Sequence, residues 1–255
     1  MLKNFYKNVF PLPFRSKVYV WRHNFRRELG LYLIKPSMSF LADGFATQHF
    51  VGFRNDPKFN SAYASAMENL PKEVLDFFGP YPNIEWRAHI CTWAANQALQ
   101  LEGDFIECGV WYGVLSKTIC EHADFKQNQR NFFLIDTWGD LPGSHKNYQA
   151  DIFNQVEARF SMYPKVKLIR CLVPTVLDQV ASEKIAYLSI DMNGSLPELA
   201  ALNFFYPKMV KGGIIYFDDY GWPYPELRKV VDEFFSDKPE TLLHFPSGNS
   251  IVVKV

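Results

Sequence analysis

From residue 83 onward, short apolar runs alternate with stretches whose apolar residues recur at helical spacing. The apolar runs predict strands at 104–108, 131–136, 166–171, 185–190 and 213–217. Between them the spacing predicts helices at 113–122, 150–161, 174–181, 196–206 and 224–235. An earlier helix is expected to start at Asn83, whose side chain can cap it. Its apolar face reads Trp86, Ile90, Trp93/Ala94 and Gln97/Ala98, with Leu101 following. Two closing strands near 241–245 and 250–254 are joined by PSGN, a hairpin turn. Repeated strand–helix units of this length imply a mostly parallel sheet covered by helices on both faces, here ending in an antiparallel hairpin. Residues 1–82 lack the alternation and are punctuated by Pro and aromatics. They are read as an N-terminal extension, a helical cover, on a domain spanning 83–255.

The chemistry gathers where strands end. SIDMN (Ser189–Asn193) and IIYFDDYG (Ile214–Gly221) each finish an apolar run in aspartate, so Asp191, Asp218 and Asp219 are expected to converge at one rim of the sheet. Clustered carboxylates repel and lose hydration unless a cation sits between them. Oxygen donors without His or Cys suit Mg²⁺, Ca²⁺ or Mn²⁺ better than zinc. Upstream, GDFIECGVWYG (Gly103–Gly113) reads as a strand, a glycine turn and a helix. Bulky Trp111 and Tyr112 in that turn obstruct the close backbone approach that a dinucleotide pyrophosphate needs, which disfavours a nicotinamide dehydrogenase. A phosphate-free cofactor with a cationic centre fits better, with Glu107 near its positive part. S-adenosylmethionine meets that description. Asp136 ends the next strand, where an acid accepts hydrogen bonds from ribose hydroxyls. For each of these residues a plainer role stands beside the functional one: Gly109 relieving a tight turn, Asp136 capping the next segment.

Composition narrows the setting. The 255 residues carry 48% apolar and 21% charged side chains with zero formal net charge, so no attraction to nucleic acid is implied. Residues 1–35 hold eight Lys/Arg against one acid, Glu28, with aromatics interleaved. A covering arm or dimer contact fits that segment better than a membrane-surface helix, because its spacing is not cleanly amphipathic. Cys91, Cys108, Cys120 and Cys171 show no metal or CxxC spacing, and no 18-residue apolar run exists. Reduced thiols and a cytoplasmic location are expected. His145 falls in the loop after DTWGDLPG, where a catalytic base can sit. Tyr220 and Trp222 follow the aspartates, and either stack on a sugar ring or pack to fix their loop.

The stretches IEWRAHICTWAANQAL, GDFIECGVWYG, FLIDTWGDLP and YLSIDMNGSLPELAALNFFYPKMVKGGIIYFDDYGWP cover residues 84–235 almost continuously. In order and content they resemble the TylF/MycF-type, metal-dependent O-methyltransferases. The resemblance implies the class I methyltransferase fold, Rossmann-like with a seven-stranded sheet. It also implies S-adenosylmethionine at Glu107, Gly109, Val110, Gly113, Asp136, Thr137 and Trp138, and Mg²⁺ held by Asp191, Asp218 and Asp219. Asp191 and His145 are the candidate bases, and the expected acceptor is a hydroxyl on a sugar or glycosylated small molecule, with Tyr220 and Trp222 beside it. The chain departs from the family at MNGSLPEL, where Asn193 stands in place of a frequent second acid. Two rivals remain: a metal-independent methyltransferase, and a catalytically silent ligand-binding or scaffold protein of the same fold. A homo-oligomer is compatible with either reading.

Overall fold

The computed structural model describes residues 38–77, 84–139, 152–175, 177–221 and 225–255, together with Leu29. Among them, 42–44 and 52–255 form one compact unit, while 38–41 and 45–51 fall in a second. Strands β1 (Phe40–Ala42) and β2 (Phe45–Thr47) make a two-stranded ladder. Asp43 and Gly44 turn between them at φ 52° and 73°, as a tight Asp-Gly hairpin requires.

The larger unit opens with helices α1 (Pro57–Met67), α2 (Lys72–Phe77) and α3 (Glu85–Ala98). The Asp56 side chain caps α1 by accepting from the Lys58 N–H at 2.9 Å. The chain then alternates through β3 (Asp104–Cys108), α4 (Val114–His122), β4 (Phe132–Asp136), α5 (Ile152–Phe160), β5 (Val166–Arg170) and β6 (Ile185–Ile190). It ends with α6 (Ser195–Phe205), β7 (Met209–Phe217), α7 (Pro225–Phe235), β8 (Leu243–His244) and β9 (Ser250–Val253).

Strands β3 to β9 form one seven-stranded sheet in the order β5-β4-β3-β6-β7-β9-β8. The first five positions are parallel, and β9 joins antiparallel to both β7 and β8. The expected parallel sheet with a terminal antiparallel hairpin is therefore what the chain forms. Every residue of β6 is buried, as a central parallel strand covered on both faces demands. One face packs Ile106, Phe133, Leu188 and Ile215 against Ala201, Leu202, Phe205, Val231 and Phe235 of α6 and α7. Among the described residues no helix is long and apolar enough to cross a membrane.

Two expectations about helices need correction. No α-helix forms over 174–181; the described residues there make only a 3₁₀ turn at Leu177–Gln179. The Leu177 N–H bonds to Pro174 O and the Val180 N–H to Leu177 O, i→i+3 contacts that tighten the turn. Val173, Thr175 and Val180 are β-branched, and the crossover from β5 to β6 is short. On α3 the expected Ile90, Ala94 and Ala98 are buried, joined by Arg87, Cys91 and Ala95, but Trp93 and Gln97 are exposed. The expected cap, Asn83, lies outside the described residues.

The last strand is locked by a buried carboxylate. Glu240 accepts from Lys254 Nζ at 2.8 Å, the Val255 N–H at 3.2 Å and the Tyr206 hydroxyl at 2.9 Å. Burial alone would raise its pKa, but these donors outweigh burial and bring it down to about 2. A carboxyl depressed on folding stabilises the protein above its unfolded pKa, and that contribution fades as pH falls through the folded value. Glu240→Gln should therefore cost about 1–2 kcal/mol at pH 7. The difference from wild type should vanish between about pH 4.5 and pH 2, as urea melts across that range would show.

Candidate functional site

Strand order reverses at β3, which has β4 on one side and β6 on the other. Ligand crevices in open α/β sheets lie at such switch points, beyond the carboxyl ends of the strands. Gly109 sits there. Its φ is +88°, and a Cβ built on it would lie 1.6 Å from the carbonyl oxygen of Asp191. Only glycine fits, so the turn after β3 and the exit of β6 touch backbone to backbone. Gly113, the N-cap of α4, has φ +69°, and a Cβ there would run into the Phe160 ring.

Asp136 ends β4 with its carboxylate turned toward this turn. One oxygen accepts from the N–H groups of Val110 at 2.7 Å and Trp111 at 2.8 Å. The other accepts from the Trp138 N–H at 3.0 Å, with the Thr137 hydroxyl at 3.4 Å. The Trp138 indole N–H in turn donates to Trp111 O at 2.8 Å. Trp111 and Trp138 both have positive φ, 49° and 42°, which costs a bulky residue about 1–2 kcal/mol. Charge-assisted bonds worth about 1.5–3 kcal/mol each offset that strain. Arg159 holds the same turn from outside, donating to Tyr112 O at 3.1 Å and to Glu68 O at 2.8 Å past the end of α1.

Glu107 is 3% exposed, and its Oε2 has no hydrogen-bond partner among the described residues. Burial, then the nearby charges of Asp218 and Asp136, push its carboxyl well up. In register across the sheet it is followed by Ser189 and Tyr216, a polar row on a face otherwise lined by apolar side chains such as Phe105, Phe132, Leu134 and Ile214. A buried acid with an open acceptor suits a ligand that brings a cation or a donor.

The three aspartates do converge. Asp191, Asp218 and Asp219 each offer an oxygen within 4.8 Å of the others. Asp218 is the most deeply set: one oxygen accepts from the Tyr216 hydroxyl at 2.5 Å and the other from Arg87 Nη1. Arg87 also grips Asp43 in a bidentate pair, with Nε–Oδ2 at 2.6 Å and Nη2–Oδ1 at 2.8 Å, and lies 3.9 Å from Asp219. Burial drives the Asp191 carboxyl well up, reinforced by Asp218 and Asp219. Burial and Asp218 push Asp219 to about 7. Among the described residues, four carboxylates thus share one internal cation, leaving surplus negative charge that a hard divalent ion would neutralise. The donor set fits such an ion.

Asn193 Nδ2 donates to Asp191 at 3.2 Å, so the residue in place of a frequent family acid orients the first aspartate. Glu198, 5% exposed in the first turn of α6, lies near the N–H groups of Met192, Asn193 and Gly194. Burial lifts its carboxyl to about 7 against the lowering pull of those donors. Tyr220 is buried, with its hydroxyl donating to Asp232 and its ring 4.7 Å from His244. His145 and Trp222 lie outside the described residues. Arg87 and Asp43 were not singled out from the sequence. The available signal was an arginine in phase with Cys91, Ala94 and Ala98, on a stripe that ought to be apolar.

With this geometry established, comparison with known proteins is direct. Residues 89–241 match the profile of the macrocin-O-methyltransferase family, TylF, over more than half the chain. The chain belongs to the TylF family of O-methyltransferases. Among solved structures, the O-methyltransferase NovP superposes with a TM-score of 0.56 at 20% identity, over 66% of this chain and 79% of NovP. CalS11, a TDP-rhamnose 3'-O-methyltransferase of calicheamicin biosynthesis, gives 0.55 at 19% identity, over 80% of this chain and 96% of CalS11. The S-adenosylhomocysteine-bound methyltransferase PaMTH1 of Podospora anserina gives 0.55 at 12% identity, over 91% of this chain and 96% of PaMTH1. At these identities the structures establish a shared fold. No curated protein sequence matches the chain.

In this TylF-family protein, Arg87→Met would leave Asp43 and Asp218 as unpaired buried charges. A loss of about 3–5 kcal/mol is expected in guanidinium melts at pH 7. Asp43→Asn keeps one acceptor for the guanidinium and should cost about 1–3 kcal/mol.

Proposed function

We propose that this TylF-family enzyme transfers the methyl group of S-adenosylmethionine to a hydroxyl of a sugar or sugar-bearing small molecule, with a divalent cation, Mg²⁺ foremost, at the three aspartates. The observation that carries the reading is the contact between Gly109 and the Asp191 carbonyl. It joins the cofactor turn and the acidic cluster at one point of the sheet, as in-line displacement between two bound partners requires.

Glu107, Gly109, Val110, Gly113, Asp136, Thr137 and Trp138 would frame the cofactor, with the Glu107 carboxylate toward its cationic part and Asp136 toward its ribose hydroxyls. Asp191, Asp218 and Asp219 would hold the cation, which when bound supplies Lewis acidity that lowers the pKa of the acceptor hydroxyl. S-adenosylmethionine would supply the methyl group and leave as S-adenosylhomocysteine, and Asp191 would accept the proton that the acceptor hydroxyl gives up. Glu198 and Asn193 keep Asp191 and its loop in place for that transfer. His145 is a second candidate for the base. Residues 1–82 would act as a cover, and the four buried, unpaired thiols fit a cytoplasmic setting.

Transfer without a metal is the rival reading, and Arg87 favours it, because the cluster already contains a cation bonded to Asp218. Titration of S-adenosylhomocysteine into the EDTA-treated full chain, then with Mg²⁺, separates cofactor from metal. Absence of binding in both conditions would sink the methyltransferase reading. Turnover on TDP-rhamnose and a panel of nucleotide sugars then tests the metal. Asp219→Asn and Asp191→Asn should each lower Mg²⁺-dependent turnover about 100-fold or more. Affinity for S-adenosylhomocysteine should stay within about threefold, because neither side chain frames the cofactor. Full turnover in EDTA would favour the rival.

A further inference from the structure

Strand β7 ends at Phe217, and the next two residues carry two of the three clustered carboxylates. Successive side chains of a strand point to opposite faces, so Asp218 and Asp219 meet Asp191 together only because the backbone leaves the strand there. The ladder to β9 stops at the same place, with Phe217 opposite Ser250. One residue further on, a side chain takes over: Asn249 Nδ2 donates to the Asp218 carbonyl oxygen at 3.3 Å. The Asn249 carbonyl is engaged in closing the hairpin turn between β8 and β9, accepting from the Phe245 N–H at 2.9 Å.

That turn touches the aspartate loop a second time. The Gly221 N–H donates to Gly248 O at 2.5 Å, and a Cβ on Gly221 would lie 2.9 Å from the Gly248 α-carbon. Turns ordinarily lie in solvent, yet Ser247 and Asn249 are each 1% exposed. Ser247 Oγ donates to Asn249 Oδ1 at 2.6 Å, and the Asp218 carbonyl can only accept, so the amide must present its NH₂ to the aspartate. Residues 218–221 are thus gripped at both ends by one buried turn. Three clustered carboxylates repel, so a loop carrying two of them needs such a hold to keep its shape before a cation arrives.

We infer that Asn249 is a positioning residue for the metal site, fixing from behind the backbone that projects Asp218 and Asp219. The inference rests on the divalent-cation reading above. It gives the closing hairpin a part in the reaction beyond completing the sheet.

Mg²⁺ is titrated by calorimetry into the full chain saturated with S-adenosylhomocysteine. Asn249→Ala should bind Mg²⁺ about tenfold or more weakly, with affinity for S-adenosylhomocysteine within about threefold of wild type. Glu240→Gln is the control: it loosens the same C-terminal segment away from the aspartates, and should keep Mg²⁺ affinity within about twofold. Unchanged Mg²⁺ affinity in Asn249→Ala, or an equal loss in Glu240→Gln, overturns the inference. If Asn249→Ala does not fold, Ser247→Ala, which frees the amide to turn, takes its place with an expected loss of about threefold or more, and no loss overturns the inference. Wild type that binds S-adenosylhomocysteine but no Mg²⁺ would defeat the metal reading beneath it. Amide exchange on the ligand-free chain then decides the positioning role. Exchange at Gly221 that is about tenfold faster in the variant supports it, and an equal rate overturns it.

Discussion

The active end of this molecule depends on holding several carboxylates close together inside a sheet that is otherwise apolar. Asp43, Asp191, Asp218 and Asp219 meet there, and Arg87 is the cation that makes the assembly tolerable. Burial works against the guanidinium's charge, but Asp218 and Asp43 outweigh it and hold Arg87 protonated. The arginine can reach this place because α3 packs on the face of β6 and β7 that carries Ser189 and Tyr216. Small residues around it on α3, Ala88, Cys91, Ala94 and Ala95, let the helix approach closely enough for its guanidinium to enter. The polar row Glu107–Ser189–Tyr216 then runs from β3 across the sheet to the hydroxyl that bonds Asp218.

The two turns beside this cluster are organised on a different principle. Where the aspartates repel and need a cation, Asp136 is surrounded by peptide N–H donors that act as its partners. One sheet edge thus holds two kinds of acid. One is held by N–H groups of the turns beside it, while the other carries an excess of charge that invites something from outside. Glu107 stands between them, buried and with an acceptor open.

Much of this could be read in the sequence. Five parallel strands, the terminal antiparallel hairpin and the convergence of Asp191, Asp218 and Asp219 follow from apolar runs that end in acid, because strands in βα units point the same way. The segment 174–181 was misread because apolar spacing over eight residues does not distinguish a helix from a tight crossover holding a proline and three β-branched residues. Arg87 and Asp43 stayed hidden for another reason. They lie 44 residues apart, and their pairing with each other, and of Arg87 with Asp218, is a fact of tertiary structure that leaves no local pattern. The N–H groups that reach the Asp136 carboxylate were equally invisible, since a strand-end acid is spelled the same whatever donates to it.

Gly109 gives the fold an evolutionary seam. Because its α-carbon leaves no room for a side chain beside the Asp191 carbonyl, the turn after β3 and the exit of β6 that carries the first of the clustered aspartates cannot drift independently. A shift of either backbone would have to be matched by the other. Sequence change is then channelled away from the seam, toward side chains such as the exposed Leu196, which follow Asp191 in sequence without sharing that contact. In such an architecture the two backbone segments are inherited as a unit, while exposed positions around them remain free to change.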